Sequence, residues 1–277
     1  MNYELINMGA YNLHLIKTSR FKTITVEVDF RREIQREDIT KRAILKEVLL
    51  NSNKSFKTER ELILESENLY DLKLVASSAR MGNYTNISFK TRFLDEKYTE
   101  KNMNEESIAF LMDIIFNPNV DNNSFNEEVV NKCKNRIEKS IKSLKDSKLK
   151  YTLFKLLENV KDKPYSYNSY GYLEDLEKID GKVLYDYYKK IIDNDFIDIF
   201  VVGDFDGVQI KELIKKYFKA RTFHKTKSNI IVEELPITKK IIEQAEEDNV
   251  NQTQFTILCG INNLTEFERK YVIKVYS

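Results

Sequence analysis

Thr23-Ile24-Thr25-Val26-Glu27-Val28-Asp29-Phe30 alternates polar and apolar side chains with period two, the pattern of a strand that buries one face. Residues 31–37 are mostly charged, and Asp38 then stands where a helix N-cap is expected. Beyond it Ile39, Ala43, Ile44, Val48 and Leu49 recur at helical spacing, which predicts a helix over 39–50 closed by Asn51-Ser52-Asn53. Strand, charged loop, helix is the local order that this stretch sets.

Upstream, Leu13-His14-Leu15-Ile16 reads as a short strand, followed by a turn at Ser19-Arg20-Phe21-Lys22. Downstream, a helix over 58–70 is capped by Thr58 with Glu61 three residues on. Leu74-Val75-Ala76 and Asn86-Ile87-Ser88-Phe89-Lys90 form strands around Met81-Gly82-Asn83. Helices follow over 106–116, stopping at Asn117-Pro118, over 125–144 with Ser124 as its cap, and over 149–160, 173–179 and 181–192. A largely apolar strand over 197–204 precedes a helix over 208–218. The polar, basic residues 221–229 mark a boundary, giving an N-terminal unit over 1–222, a linker over 223–236 and a second unit over 237–277. In the second unit a strand over 251–260 leads through Ile261-Asn262-Asn263-Leu264-Thr265 into a helix over 266–275, repeating the order of 23–50. One strand and one helix cannot close a core, so this unit is read as truncated, its remainder missing from a fragment or supplied elsewhere.

The 45 Lys and Arg nearly cancel the 44 Asp and Glu, leaving +1, which argues against nucleic acid as the main partner. Hydrophobic residues at 42% supply a core under a surface rich in charge. Cys133 and Cys259 are distant and outside any C-x-x-C spacing, and they read as reduced, mostly buried thiols. Residues 1–7 show neither a basic nor an apolar leader segment, and no run of about 18 apolar residues occurs. A soluble cytoplasmic protein without a membrane partner is the expectation. With 7 Gly there is no glycine-rich phosphate cradle, and neither a G-x-S-x-G elbow nor a Cys–His arrangement is present.

Phe116-Asn117-Pro118, Pro164-Tyr165, Gly171-Tyr172-Leu173-Glu174-Asp175-Leu176 and Val201-Val202-Gly203-Asp204-Phe205-Asp206 follow one another at characteristic intervals. Through them residues 10–277 resemble the pitrilysin/insulinase family of zinc peptidases, the inverzincins. The resemblance implies repeated α+β units, each a largely antiparallel sheet flanked by helices, two to a chain. It also implies H-x-x-E-H on the first long helix, two histidines and a downstream glutamate holding zinc, and the motif's own glutamate as general base. Residues i and i+4 share a helix face, so both imidazoles reach one ion, whose bound water has its pKa lowered to about 7.

The matching helix here reads Arg42-Ala43-Ile44-Leu45-Lys46-Glu47-Val48. Ala43 and Glu47 take the histidine positions and Lys46 that of the base. No shift of register helps, because the 2 histidines are His14 and His224. At the downstream acidic positions the resemblance puts Cys133 and Ser140, with Glu128 and Glu138 nearby. The chain is therefore expected to have no catalytic residues, no metal and no cofactor. A replacement cluster of Glu47, Glu61 or Glu65, and Cys133 is the alternative. Against it, these glutamates read as solvated helix charges with lysines at i±4, such as Glu61 and Lys57, and Lys46 repels a metal.

His14 reads as a surface or hydrogen-bonded strand histidine rather than a catalyst, and His224 as a solvated linker residue. The lysines of 132–150 read as an outer helix face, with a shallow track for an anionic partner as the sharper alternative. Tyr165, Tyr167, Tyr170 and Tyr172 either anchor a loop or line a peptide groove. The resemblance implies a non-catalytic subunit that supplies peptide binding and chamber wall to an active zinc peptidase paralogue, as a hetero-oligomer, or that forms a homodimer. An active endopeptidase with an unorthodox metal site and a scaffold unrelated to proteolysis are the alternatives.

Overall fold

The computed structural model describes residues 2–160, 163–218, 241–247, 253–259 and 263–273. Six strands form one sheet: β1 (Asn2–Asn7), β2 (Asn12–Lys17), β3 (Thr23–Glu33), β4 (Lys73–Met81), β5 (Tyr84–Leu94) and β8 (Phe196–Gly203). A small hairpin is made by β6 (Val120–Asp121) and β7 (Ser124–Phe125). The helices are α1 (Ile39–Leu49), α2 (Glu59–Asn68), α3 (Met103–Phe116), α4 (Glu127–Lys142), α5 (Lys148–Glu158), α6 (Leu173–Leu176), α7 (Gly181–Asn194) and α8 (Gly207–Tyr217).

The sheet order is β1-β2-β8-β3-β5-β4. Every neighbouring pair is antiparallel except β2 and β8, which run parallel. The last strand among the described residues, β8, thus inserts within the sheet, which needs the long helical crossover that residues 95–195 supply. Alternation in β3 puts Ile24, Val26, Val28 and Phe30 on the buried face, in one core with Leu13, Leu15, Ile199, Val201 and Phe89 of the other strands. Ile44, Leu45, Leu111 and Leu184 close the same core from the helices. Each such side chain contributes about 1.5–3 kcal/mol by leaving water.

The α+β class and the largely antiparallel sheet match the reading of the sequence. Several local expectations change. β1 was not foreseen. β3 runs past Phe30 to Glu33, because Arg31, Arg32 and Glu33 pair in register with Asn86, Thr85 and Tyr84 of β5. Asp38 precedes α1 but makes no capping bond; it is 2% exposed and faces Arg32, Lys41 and Lys190 instead. Ser124 belongs to β7, and Asn126 caps α4 by accepting from the Val129 N–H. Over 253–259, the described part of the strand expected at 251–260, no strand forms; a strand needs a hydrogen-bonded neighbour, and the structure gives this segment none among the described residues. The helix expected at 266–275 is present over its described residues, with Glu268–Val272 in π-helical form. The linker at 223–236 and His224 lie outside the described residues.

Gly181 shows how closely two elements meet. A Cβ there would lie 2.2 Å from the Phe125 carbonyl oxygen, so only glycine lets the start of α7 reach the β7–α4 junction. Its N–H donates to Glu127 Oε1 at 2.7 Å, tying the two helices at their first turns. Among the described residues no helix is long and apolar enough to cross a membrane.

Candidate functional site

The helix α1 packs against both the edge strand β4 and α4. This is where the resemblance would put zinc. Ala43 is buried in the core and offers no ligand. Lys46 Nζ lies 3.1 Å from Glu47 Oε1, and Arg136 Nη1 of α4 faces Glu47 Oε2 at 4.0 Å. One turn back on α4, Lys132 Nζ donates to Glu59 Oε2 at 2.7 Å, and Arg136 Nη2 lies 3.2 Å from both Glu59 oxygens. Asn51 Nδ2 reaches the same carboxylate at 3.3 Å. The bond from Lys132, with help from Arg136, holds the Glu59 carboxyl below the usual glutamate range.

Cys133 points inward between Lys132 and Arg136, and burial pushes its thiol up to about 11. Such a thiol stays protonated near neutral pH and is a poor metal ligand. Ser140 donates to the Arg136 carbonyl, Glu138 pairs with Lys142, and Glu128 is exposed. Glu61 accepts from the backbone N–H of Lys57 at 2.6 Å, whereas the Lys57 ammonium reaches Asn119. Glu65 accepts from Asn68 and lines a separate cleft beside Phe56 and Phe110. The alternative cluster of Glu47, Glu61 or Glu65, and Cys133 is therefore not assembled. No group of three His, Cys, Asp or Glu side chains is placed to hold a metal among the described residues. Lys46, Lys132 and Arg136 at the position of a dication repel it, so the residues present do not fit zinc.

Strand β4 ends the sheet next to α1, and its outer edge has no strand partner among the described residues. Val75 is 55% exposed and Met81 62%. At the far end Arg80 Nη1 donates to the carbonyls of Tyr165 and, at 3.1 Å, of Tyr167. The same loop docks on the start of α1. Gly171, at φ +101°, presses against Thr40, whose hydroxyl accepts from the Tyr172 N–H at 3.1 Å and donates to Asp175 at 2.7 Å. The Arg36 guanidinium stacks 3.2 Å from the Tyr172 ring centroid and pairs with Asp175. The four tyrosines sit on a loop anchored to α1 and β4, with Ser78, Ala79, Pro164 and Tyr167 lining a narrow cleft between them.

His14 lies on the sheet face away from the core. Its Nδ1 is 2.9 Å from the Tyr3 hydroxyl, its Nε2 is 3.3 Å from Asp198 Oδ1, and its ring stacks on Phe200 at 4.2 Å. Asn12 and Arg31 also donate to Asp198. The imidazole is a strand-to-strand tie, far in sequence from the motif helix.

A second polar feature escaped the reading of the sequence. Arg42, buried on α1, donates to Asp195 Oδ2 at 2.8 Å, to the Phe30 carbonyl at 2.7 Å and to the Tyr187 hydroxyl at 3.4 Å. Arg32 lies 3.5 Å from Asp195 Oδ1. Burial pushes the Tyr187 phenol and the Asp195 carboxyl up, and Arg42 opposes both shifts. The available signal was an arginine flanked by Ala43, Ile44 and Leu45 on an apolar helix face.

Residues 178–277 match the family model described as the peptidase M16 inactive domain. The "Probable inactive metalloprotease YmfF" of Bacillus subtilis (strain 168) is 28% identical over 254 residues, covering 90% of this chain and 59% of the relative. A conserved protein from Enterococcus faecalis V583 superposes with a TM-score of 0.81 at 24% identity, over 87% of this chain and 57% of that one. A peptidase M16 inactive domain from Pseudomonas fluorescens gives 0.63 at 13% identity, over 84% and 54%. The periplasmic protease PqqL from Escherichia coli gives 0.66 at 11% identity, over 82% and 25%. The chain thus spans 59% of the length of its curated relative. Landmarks, family model and relative agree in their likeness to the pitrilysin/insulinase (M16) peptidases, the solved structures share the fold, and the sequence carries no H-x-x-E-H.

Proposed function

We propose that this chain is the non-catalytic subunit of a peptidase complex, binding part of an extended peptide and forming chamber wall beside a paralogue that keeps H-x-x-E-H. The observation that carries this reading is the pairing of a cation-filled metal position with an unpaired sheet edge alongside it. Hydrolysis by the zinc mechanism needs a bound ion and a base, which Ala43, Lys46 and Glu47 at the motif positions do not supply. Peptide binding by strand addition needs only free backbone N–H and C=O groups, which the outer edge of β4 offers. Exposed Val75 and Met81 flank alternate positions along it. A cytoplasmic setting is part of the proposal; the thiols, Cys133 buried but Cys259 exposed rather than buried as its sequence suggested, are in no disulfide and support a reducing compartment.

Isolation of the protein from its native cells tests the complex. A related chain carrying H-x-x-E-H co-purifies in fixed stoichiometry, and the pair cleaves unstructured peptides while this chain alone does not. Isolation as a lone chain that cleaves peptides, with activity lost on Glu47→Gln, contradicts the proposal.

A further inference from the structure

We infer that the ion pairs at the lost metal position brace α1, α2 and α4 together, replacing by charge a cross-link that a metal would make. The inference is independent of peptide binding. A metal held by α1 and α4 would fix the distance between them. Here Arg136 of α4 faces Glu47 of α1 at 4.0 Å and takes both oxygens of Glu59, the first residue of α2, at 3.2 Å. Lys132, one turn earlier on α4, adds a third bond to Glu59, and Asn51, two residues past the end of α1, a fourth. Lys46 closes the network on the α1 side by pairing with Glu47.

Two observations give the network weight. Leu62 is the one buried residue of α2, and Ile63 and Leu64 are exposed, so apolar packing holds this helix weakly. Glu59 also sits in the first turn of α2, where a carboxylate meets the positive end of the helix dipole. A single exposed ion pair contributes little, but a carboxylate gripped by a guanidinium, an ammonium and an amide belongs to a network whose members hold one another in place.

A double-mutant cycle of Glu59→Gln and Arg136→Gln, followed by urea unfolding of the whole chain, tests the brace. These side chains are partly exposed, so all variants fold. At low salt the double variant loses about threefold to tenfold less in folding equilibrium constant than the product of the single losses, and the coupling falls toward unity in 1 M salt. Amide exchange quickens in α2 of Glu59→Gln and stays unchanged in α7. Purely multiplicative single effects at low salt, or α2 exchange equal to that of the unmodified protein, overturn the inference.

Discussion

Replacing Asp195 by alanine lowers the unfolding free energy by about 3–5 kcal/mol, read from the urea midpoint at unchanged slope. The reason is the partner left behind. Arg42 cannot shed its proton and is buried with Asp195 as its nearest counter-charge, at 2.8 Å. Removing the carboxylate leaves a guanidinium with only the Phe30 carbonyl and the Tyr187 hydroxyl, and it leaves Arg32 without its 3.5 Å neighbour. The pair itself adds little net stability, because burying two charges offsets most of their attraction. Arg42→Met together with Asp195→Leu is therefore milder than Asp195→Ala alone. A loss below about 1 kcal/mol in the single variant would mean that water or another anion reaches Arg42.

On the proposed strand addition, an extended peptide with alternate backbone amides N-methylated is expected to bind this chain about 30- to 150-fold more weakly than the unmodified peptide, in one of the two possible registers. Strand addition gives the peptide its affinity through main-chain hydrogen bonds, and each amide lost costs about 0.5–1.5 kcal/mol. Two or three such losses along the nine residues of β4 sum to about 2–3 kcal/mol, or roughly 30- to 150-fold. A strand turns successive N–H groups to opposite sides, so methylation in the other register leaves affinity nearly unchanged. Fluorescence anisotropy with both methylated peptides separates the cases. Equal affinity of the two registers would place binding away from the β4 edge.

The sequence showed local patterns and hid distant pairings. The alternation of 23–30 and the helical spacing of 39–50 were legible because each reports its own burial within a few residues. β1 was not, since Asn2-Tyr3-Glu4-Leu5-Ile6-Asn7 sits at a sheet edge and five of its six side chains are exposed, which erases the alternation. Asp38 resembled a cap in sequence, but its partner Lys190 becomes visible only when α7 is laid beside α1. The same holds for Arg42 with Asp195 and for His14 with Asp198, pairs separated by 153 and 184 residues. At the candidate site, the missing histidines could be read directly. Arg136 and Lys132 closing on Glu59 could not, because that contact depends on how α4 crosses α2.

Charge stands at the place where the motif of the resembled peptidases would hold an ion. The most direct measurement is the zinc content of the purified chain after incubation with excess zinc and desalting. Lys46, Lys132 and Arg136 beside a protonated Cys133 predict far less than one zinc per chain. One tightly held zinc per chain, lost on Glu47→Gln, would contradict the account.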